Sequence, residues 1–146
     1  MTEKKFPLSK NQLNDIIKKY PTPFHLYDEQ AIRSNIRKLL RSFSWNAGFK
    51  EYYAIKAAPN PFLMKILHQE GCGIDCSSYG ELVLAEKSGL SGEEIMFTSN
   101  DTPAYEYKKA SELGAVINVD DISHIDYLDS VVTFPELICF RYNPGA

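Results

Sequence analysis

Four charged side chains could do chemistry together: Lys56, which could otherwise simply end a strand and point into water, and Asp75, Glu81 and Arg141. Lys56 closes the apolar, aromatic-rich run Tyr52-Tyr53-Ala54-Ile55 and is followed at once by Ala57-Ala58-Pro59. Such a run predicts a buried strand that stops there and delivers an amine at its tip. In strand geometry Tyr52, Ala54 and Lys56 share one face and Tyr53 and Ile55 the other. Alanine beside lysine leaves room for a flat ligand, and a lysine held partly out of water is a nucleophile suited to covalent chemistry. Asp75 and Arg141 each end an otherwise apolar stretch, where an unpaired charge is costly. Gathered on one rim, the four charges can neutralise one another. Glu81 has a plainer alternative, as a first-turn glutamate favoured by the helix dipole.

The elements that must position these groups follow from hydrophobic period and punctuation. Ser9 caps a predicted first helix through Leu13, Ile16 and Ile17, stopped near Tyr20 by Pro21 and Pro23. Phe24-His25-Leu26-Tyr27 alternates like a short strand. Asp28 caps a second helix, with Ala31, Ile32, Ile36, Leu39, Leu40 and Phe43 on one face and Arg33, Arg37, Lys38 and Arg41 on a solvated one. After the Lys56 strand the pattern alternates. Predicted helices cover Phe62 to Glu70, Tyr79 to Ser88, Ala104 to Leu113 and Ile122 to Leu128; predicted strands cover Gly73 to Cys76, Ile95 to Thr98, Ala115 to Val119 and Leu137 to Arg141. Five strands separated by helices of about ten residues predict right-handed βαβ units on a parallel sheet.

Short, even strands and the lack of a GxGxxG fingerprint favour a (β/α) barrel over a doubly wound sheet. A closed barrel takes eight strands and about 250 residues, whereas this sequence of 146 residues ends at Asn143-Pro144-Gly145-Ala146. The expectation is α/β: residues 1–27 as an N-terminal helix and short strand, and residues 28–146 as about five βα units of an incomplete TIM-type barrel. Barrel chemistry sits at the C-terminal ends of strands. Those ends carry Lys56, Asp75 followed by Ser77-Ser78-Tyr79-Gly80-Glu81, Ser99-Asn100-Asp101, Asn118-Val119-Asp120 and Arg141. Ser77, Ser78, Asp120, Asp121 and the Asn100 to Pro103 segment also read as helix caps and turns.

Composition removes other classes. At 44% hydrophobic residues a core is available, and a net charge of −3 without a basic stripe speaks against nucleic acid. No apolar run is long enough for a bilayer, so the sequence reads as cytoplasmic. Cys72, Cys76 and Cys139 are odd in number and lack metal-like spacing to His25, His68 or His124, which leaves small core residues rather than a disulfide framework or a metal site.

Pro21 to Asp28, Tyr53-Ala54-Ile55-Lys56-Ala57 and Gly73-Ile74-Asp75-Cys76-Ser77-Ser78-Tyr79-Gly80-Glu81-Leu82, then Ile95 to Asn100, Asn118-Val119-Asp120 and Arg141 to Gly145, occur in this order. The series resembles the N-terminal half of the diaminopimelate decarboxylases and their fold-type III relatives, which share an alanine racemase-like barrel and include ornithine and arginine decarboxylases. The resemblance covers nearly the whole sequence from Pro21 onward. It implies pyridoxal 5'-phosphate as cofactor, Lys56 as the catalytic lysine that binds it covalently, Ala54 beneath it, and Asp75, Glu81 and Arg141 lining its pocket. The implied reaction is loss of an α-carboxylate from a small amino acid, meso-diaminopimelate to L-lysine and CO2 if the substrate follows the family name, in a homodimer. Ser99-Asn100-Asp101-Thr102-Pro103 departs from the glycine, asparagine and lysine series of many relatives, which leaves the subfamily open.

The resemblance also implies that the phosphate loop, the partner of the ring nitrogen and the substrate-binding residues come later than residue 146, so this chain alone is expected to be inactive. Other readings are a racemase-like enzyme, a non-catalytic pyridoxal-phosphate carrier on the same barrel, or a folded module that acts only by interaction.

Overall fold

The computed structural model describes residues 6–142 and residue 144; Met1–Lys5, Asn143, Gly145 and Ala146, which include the end of the Arg141 motif, lie outside the described residues. Helix α1 (Lys10–Lys19) begins at Ser9, whose hydroxyl and backbone N–H form a reciprocal capping box with Gln12, and it stops before Pro21. Helix α2 (Glu29–Ser42) begins where the Asp28 carboxylate accepts the Ala31 N–H at 3.0 Å.

Then come five strands: β1 (Tyr52–Ala54), β2 (Gly73–Cys76), β3 (Ile95–Ser99), β4 (Val116–Val119) and β5 (Ile138–Phe140). They are separated by α3 (Pro61–Gln69), α4 (Tyr79–Lys87), α5 (Ala104–Glu112) and α6 (His124–Val131). All pairs are parallel and the order is β1-β2-β3-β4-β5, so the sheet advances one strand per unit and never reverses as a doubly wound sheet does. Gly71, Gly89 and Gly114, each just past a helix, hold φ of 95°, 83° and 68°. Only glycine adopts such a backbone cheaply, so these residues end each helix and turn the chain back to the next strand.

The two faces of the sheet differ. Ile74, Cys76, Ile95, Phe97, Ile117 and Val119 are buried in one cluster with Met64 of α3, Leu82 and Ala85 of α4, Tyr107 and Ala110 of α5 and Leu128 of α6. The alternate residues, Ala54, Asp75, Met96, Thr98, Asn118 and Cys139, are half-buried on the other face. Helices thus cover one face and leave the polar one for the site.

Several expectations need correction. The strand that was to carry Lys56 ends at Ala54, and Ile55–Ala57 form a 3-10 turn closed by the Ala58 N–H on the Ile55 carbonyl at 3.0 Å. The last rung of the β1–β2 ladder is Ala54↔Asp75, and beyond it alternation no longer governs direction. Phe24–Tyr27 is irregular, since a strand needs a ladder partner and among the described residues that segment has none. Helix α6 starts at His124 rather than Ile122, because the Asp121 carboxylate accepts both N–H and hydroxyl of Ser123 and holds a turn there. Arg33 and Arg37 do not form a purely solvated face: both grip Glu70 at the end of α3, at 2.9 and 2.6 Å, and tie α2 to the βα units.

Candidate functional site

A polar cavity of about 520 Å³ opens at the C-terminal ends of the strands, lined by Lys56, Asp75, Ser77, Thr98, Ser99, Asn100, Asn118 and Arg141. Its size falls within the ~300–1,000 Å³ of small-molecule sites. Three of the five sequence-predicted residues therefore line one cavity: Lys56 from the turn after β1, Asp75 from β2 and Arg141 just past β5. Ala54 lies beside Asp75 in the ladder, and Glu81 stands one step back on α4.

Lys56 is exposed, not held out of water as the strand reading required, because the 3-10 turn lifts it clear of the sheet. Asp75 is the half-buried member. Burial raises its pKa above the ordinary carboxyl value; the Thr98 hydroxyl and the positive charges of Lys56 and Arg141 oppose that rise, and the charge of Glu81 adds to it. One carboxyl oxygen, Oδ1, is fully buried without a hydrogen-bond partner among the described residues, as is Oδ1 of Asn118.

Arg141 is not neutralised by Asp75 or Glu81. Its backbone N–H extends the ladder to the Val119 carbonyl at 3.0 Å, and its guanidinium pairs with Asp120 Oδ1 at 3.2 Å and reaches Asn100 Oδ1 at 3.4 Å. Asp120 therefore anchors the arginine instead of capping α6. Glu81 accepts the Ser77 N–H, while Ser78, the N-cap of α4, accepts the Glu81 N–H at 3.4 Å. From α5 the buried Glu106 accepts the Tyr79 N–H at 2.8 Å. These bonds fix the loop that places Ser77 on the cavity wall. Thr98 was not singled out from sequence, although its position two residues after Met96 on the site face was a usable signal.

The family model for the pyridoxal-dependent decarboxylase, pyridoxal binding domain, matches residues 29–146. The chain belongs to that family. Protein TabA of Pseudomonas amygdali pv. tabaci is 42% identical over 139 residues, which are 95% of this chain and 31% of that protein. A diaminopimelate decarboxylase of Methanothermobacter thermautotrophicus is 37% identical over 131 residues, 89% of this chain and 31% of that enzyme. Lysine decarboxylase from Selenomonas ruminantium superposes with a TM-score of 0.78 at 26% identity, over 88% of this chain and 33% of that one. The chain spans about a third of the length of the curated relatives it matches.

The pyridoxal-binding family and the barrel fold expected from sequence both stand, with five parallel strands separated by four helices, among the described residues, as the N-terminal part of the barrel. The family's cofactor is pyridoxal phosphate, and the cavity suits it: its lining includes a primary amine able to meet a carbonyl and a guanidinium able to meet an anion, and a buried Asp75 oxygen has no hydrogen-bond partner among the described residues. Among the described residues no helix is long and apolar enough to cross a membrane.

Proposed function

We propose that this chain is the cofactor-binding part of an amino-acid decarboxylase in which Lys56 binds pyridoxal phosphate covalently and Ala54, Asp75, Glu81 and Arg141 shape its pocket. The observation that supports this is the convergence of Lys56, Asp75 and Arg141 on one polar cavity at the C-terminal ends of parallel strands. When bound, the cofactor supplies an electron sink for the pair left as an α-carboxylate departs as CO2.

The chain's own residues orient and move protons. The Lys56 Nζ, on a short turn at the cavity mouth, is placed to return a proton to the carbon that has lost its carboxylate. Asp75, half-buried in the cavity wall, holds a negative charge or a proton at a fixed point. Arg141, braced by Asp120 and Asn100, presents a cation whose direction is set before any anionic ligand arrives. Alanine at position 54 keeps the wall beside Asp75 low.

For the substrate we propose meso-2,6-diaminoheptanedioate, from the similarity to diaminopimelate decarboxylases. One Cα–carboxylate bond breaks, CO2 leaves, a proton takes its place and L-lysine results. The acting protein in this reading is of the relatives' length, soluble in the cytoplasm and dimeric.

The test is incubation with pyridoxal phosphate, borohydride reduction, and peptide mapping of the protein and of Lys56→Ala. A single adduct at Lys56, lost in the variant, is expected. Labelling spread over surface lysines and unchanged in Lys56→Ala would sink the assignment. CO2 release from meso-diaminopimelate, lysine, ornithine and arginine by a protein of the relatives' length carrying this sequence then tests the substrate; faster release from any of the last three overturns that choice.

A further inference from the structure

Two charged residues of α5, Glu106 and Lys109, are buried, at 7% and 9% exposure, and neither lines the cavity. They share one face of the helix and both reach α4. Lys109 Nζ pairs with Glu86 Oε1 at 2.9 Å near the end of α4. Glu106 Oε1 instead accepts the Tyr79 N–H at 2.8 Å at the start of α4, where the chain has just left the cavity wall at Ser77. A buried charge is costly unless it is hydrogen-bonded, and this carboxylate meets a backbone donor at the positive end of a helix dipole. Tyr79 is the first residue of α4, so its N–H has no carbonyl partner within the helix. The local cap does not serve it: the Ser78 hydroxyl accepts the Glu81 N–H at 3.4 Å, and the Glu81 carboxylate turns back to the Ser77 N–H. The segment from Ser77 to Tyr79 is thus held at both ends by carboxylates, one from its own helix and one from the next.

We propose that Glu106 is a positioning residue for the cavity: by holding the Tyr79 N–H from α5 it fixes the turn from β2 into α4, and with it the place of Ser77 in the cavity wall against the bound cofactor. The turn needs an acceptor at one point, so Glu106 acts through its reach and not through its charge. Lys109 ties the same two helices near the far end of α4, away from the turn, and serves stability alone. The two residues therefore make a matched pair: both buried, both on α5, both bound to α4, and only one of them beside the cavity.

The cofactor side of this inference rests on the cofactor reading above, whereas the hold on the turn does not. The experiment therefore has two readouts. In the protein without ligand, amide hydrogen exchange at Ser77 and Tyr79 is followed by NMR in wild type, Glu106→Gln, Glu106→Asp, Glu106→Leu and Lys109→Met, each checked for an intact thermal unfolding transition. Glu106→Gln keeps an acceptor at full length without the charge, Glu106→Asp keeps the charge and withdraws it by one methylene, and Glu106→Leu removes the acceptor. Both amides are expected to exchange about tenfold faster in Glu106→Leu and Glu106→Asp, to stay closer to wild type in Glu106→Gln, and to be unchanged in Lys109→Met. Faster exchange confined to Tyr79 would make Glu106 a helix cap and no more, and a larger effect in Glu106→Gln than in Glu106→Asp would make charge the cause; either overturns the proposal. If Glu106→Leu does not fold, the order of Glu106→Gln and Glu106→Asp decides by itself.

The second readout is the concentration of pyridoxal phosphate that half-saturates borohydride-trapped labelling at Lys56. Loss of one hydrogen bond to a charged group is expected to raise it about tenfold in Glu106→Leu and Glu106→Asp, with Glu106→Gln nearer wild type and Lys109→Met unchanged although its unfolding midpoint falls. Unchanged half-saturation in Glu106→Leu and Glu106→Asp overturns the link from the turn to the cavity, and an equal rise in Lys109→Met overturns it by reducing the effect to lost stability. If wild type captures no cofactor at Lys56, the cofactor reading falls, and hydrogen exchange still decides whether Glu106 holds the turn.

Discussion

Replacing Gly73 by alanine tests how β1 and β2 bring Lys56 and Asp75 together. Gly73 is opposite Tyr52 in the first rung of that ladder, and Ala54 is opposite Asp75 in the last. A Cβ at position 73 would lie 2.5 Å from both Cδ1 and Cε1 of Tyr52 and 3.0 Å from the Glu94 carbonyl oxygen. Carbon atoms in ordinary contact are ~3.5–4.0 Å apart, so the ring must retreat by about 1 Å. It is not free to do so: the Tyr52 hydroxyl donates to the Glu93 carbonyl at 2.7 Å, and the Lys50 ammonium sits 5.2 Å from the ring centre.

Overpacking of this kind costs about 1–3 kcal/mol and the strained hydrogen bond about 1 more. The smaller unfolded-state entropy of alanine returns about 0.5–1 kcal/mol. The net expectation is a loss of about 1–3 kcal/mol, read from urea unfolding midpoints at unchanged slope. In a Tyr52→Ala background the ring is gone, and Gly73→Ala should become neutral or slightly stabilising. An equal cost in both backgrounds would refute the argument, since it would place the role of Gly73 in its backbone and not in the space that Tyr52 fills.

Three further outcomes follow from named contacts. Arg37 and then Arg33, by hydrogen bonds, lower the Glu70 pKa from 4.5 to about 2; because the folded value is depressed, the stabilisation is present above 4.5 and is lost as pH falls from there towards 2. Unfolding midpoints measured across that range should fall in wild type, and Glu70→Gln should flatten this part of the profile. Asp28→Ala removes the cap of α2 and should cost about 1 kcal/mol by urea unfolding, with Asp28→Asn restoring most of it. Cys76 is fully buried and burial pushes its thiol up to about 12, and Cys72 is buried as well, so iodoacetamide at neutral pH should label Cys139 first in the folded protein; early labelling of Cys76 would contradict the helix-side packing of β2.

How much of this was legible in the sequence depends on the range of the interaction concerned. The caps at Ser9, Asp28 and Ser78, the glycine stops, the five strands and the parallel order follow from local chemistry and hydrophobic period, because a cap or a left-handed turn involves residues only a few positions apart. Lys56, Asp75 and Arg141 were recognisable because each charge closes an apolar run, and the structure brings these three to one cavity.

Tertiary structure decided what depends on partners distant in sequence. Whether the chain after Ala54 stays a strand depends on the length of the ladder with β2, and Phe24–Tyr27 has strand-like residues but no neighbour to pair with. Asp120 reads as a cap from its neighbours and becomes the anchor of Arg141 only when β4 and β5 pair. Thr98 and Asn118 lie on the same face of their strands by alternation, but their pairing is not visible in either strand alone. Register sets Asn118 beside Thr98, whose hydroxyl oxygen accepts from Asn118 Nδ2, a relation between two strands that no pattern within either one encodes.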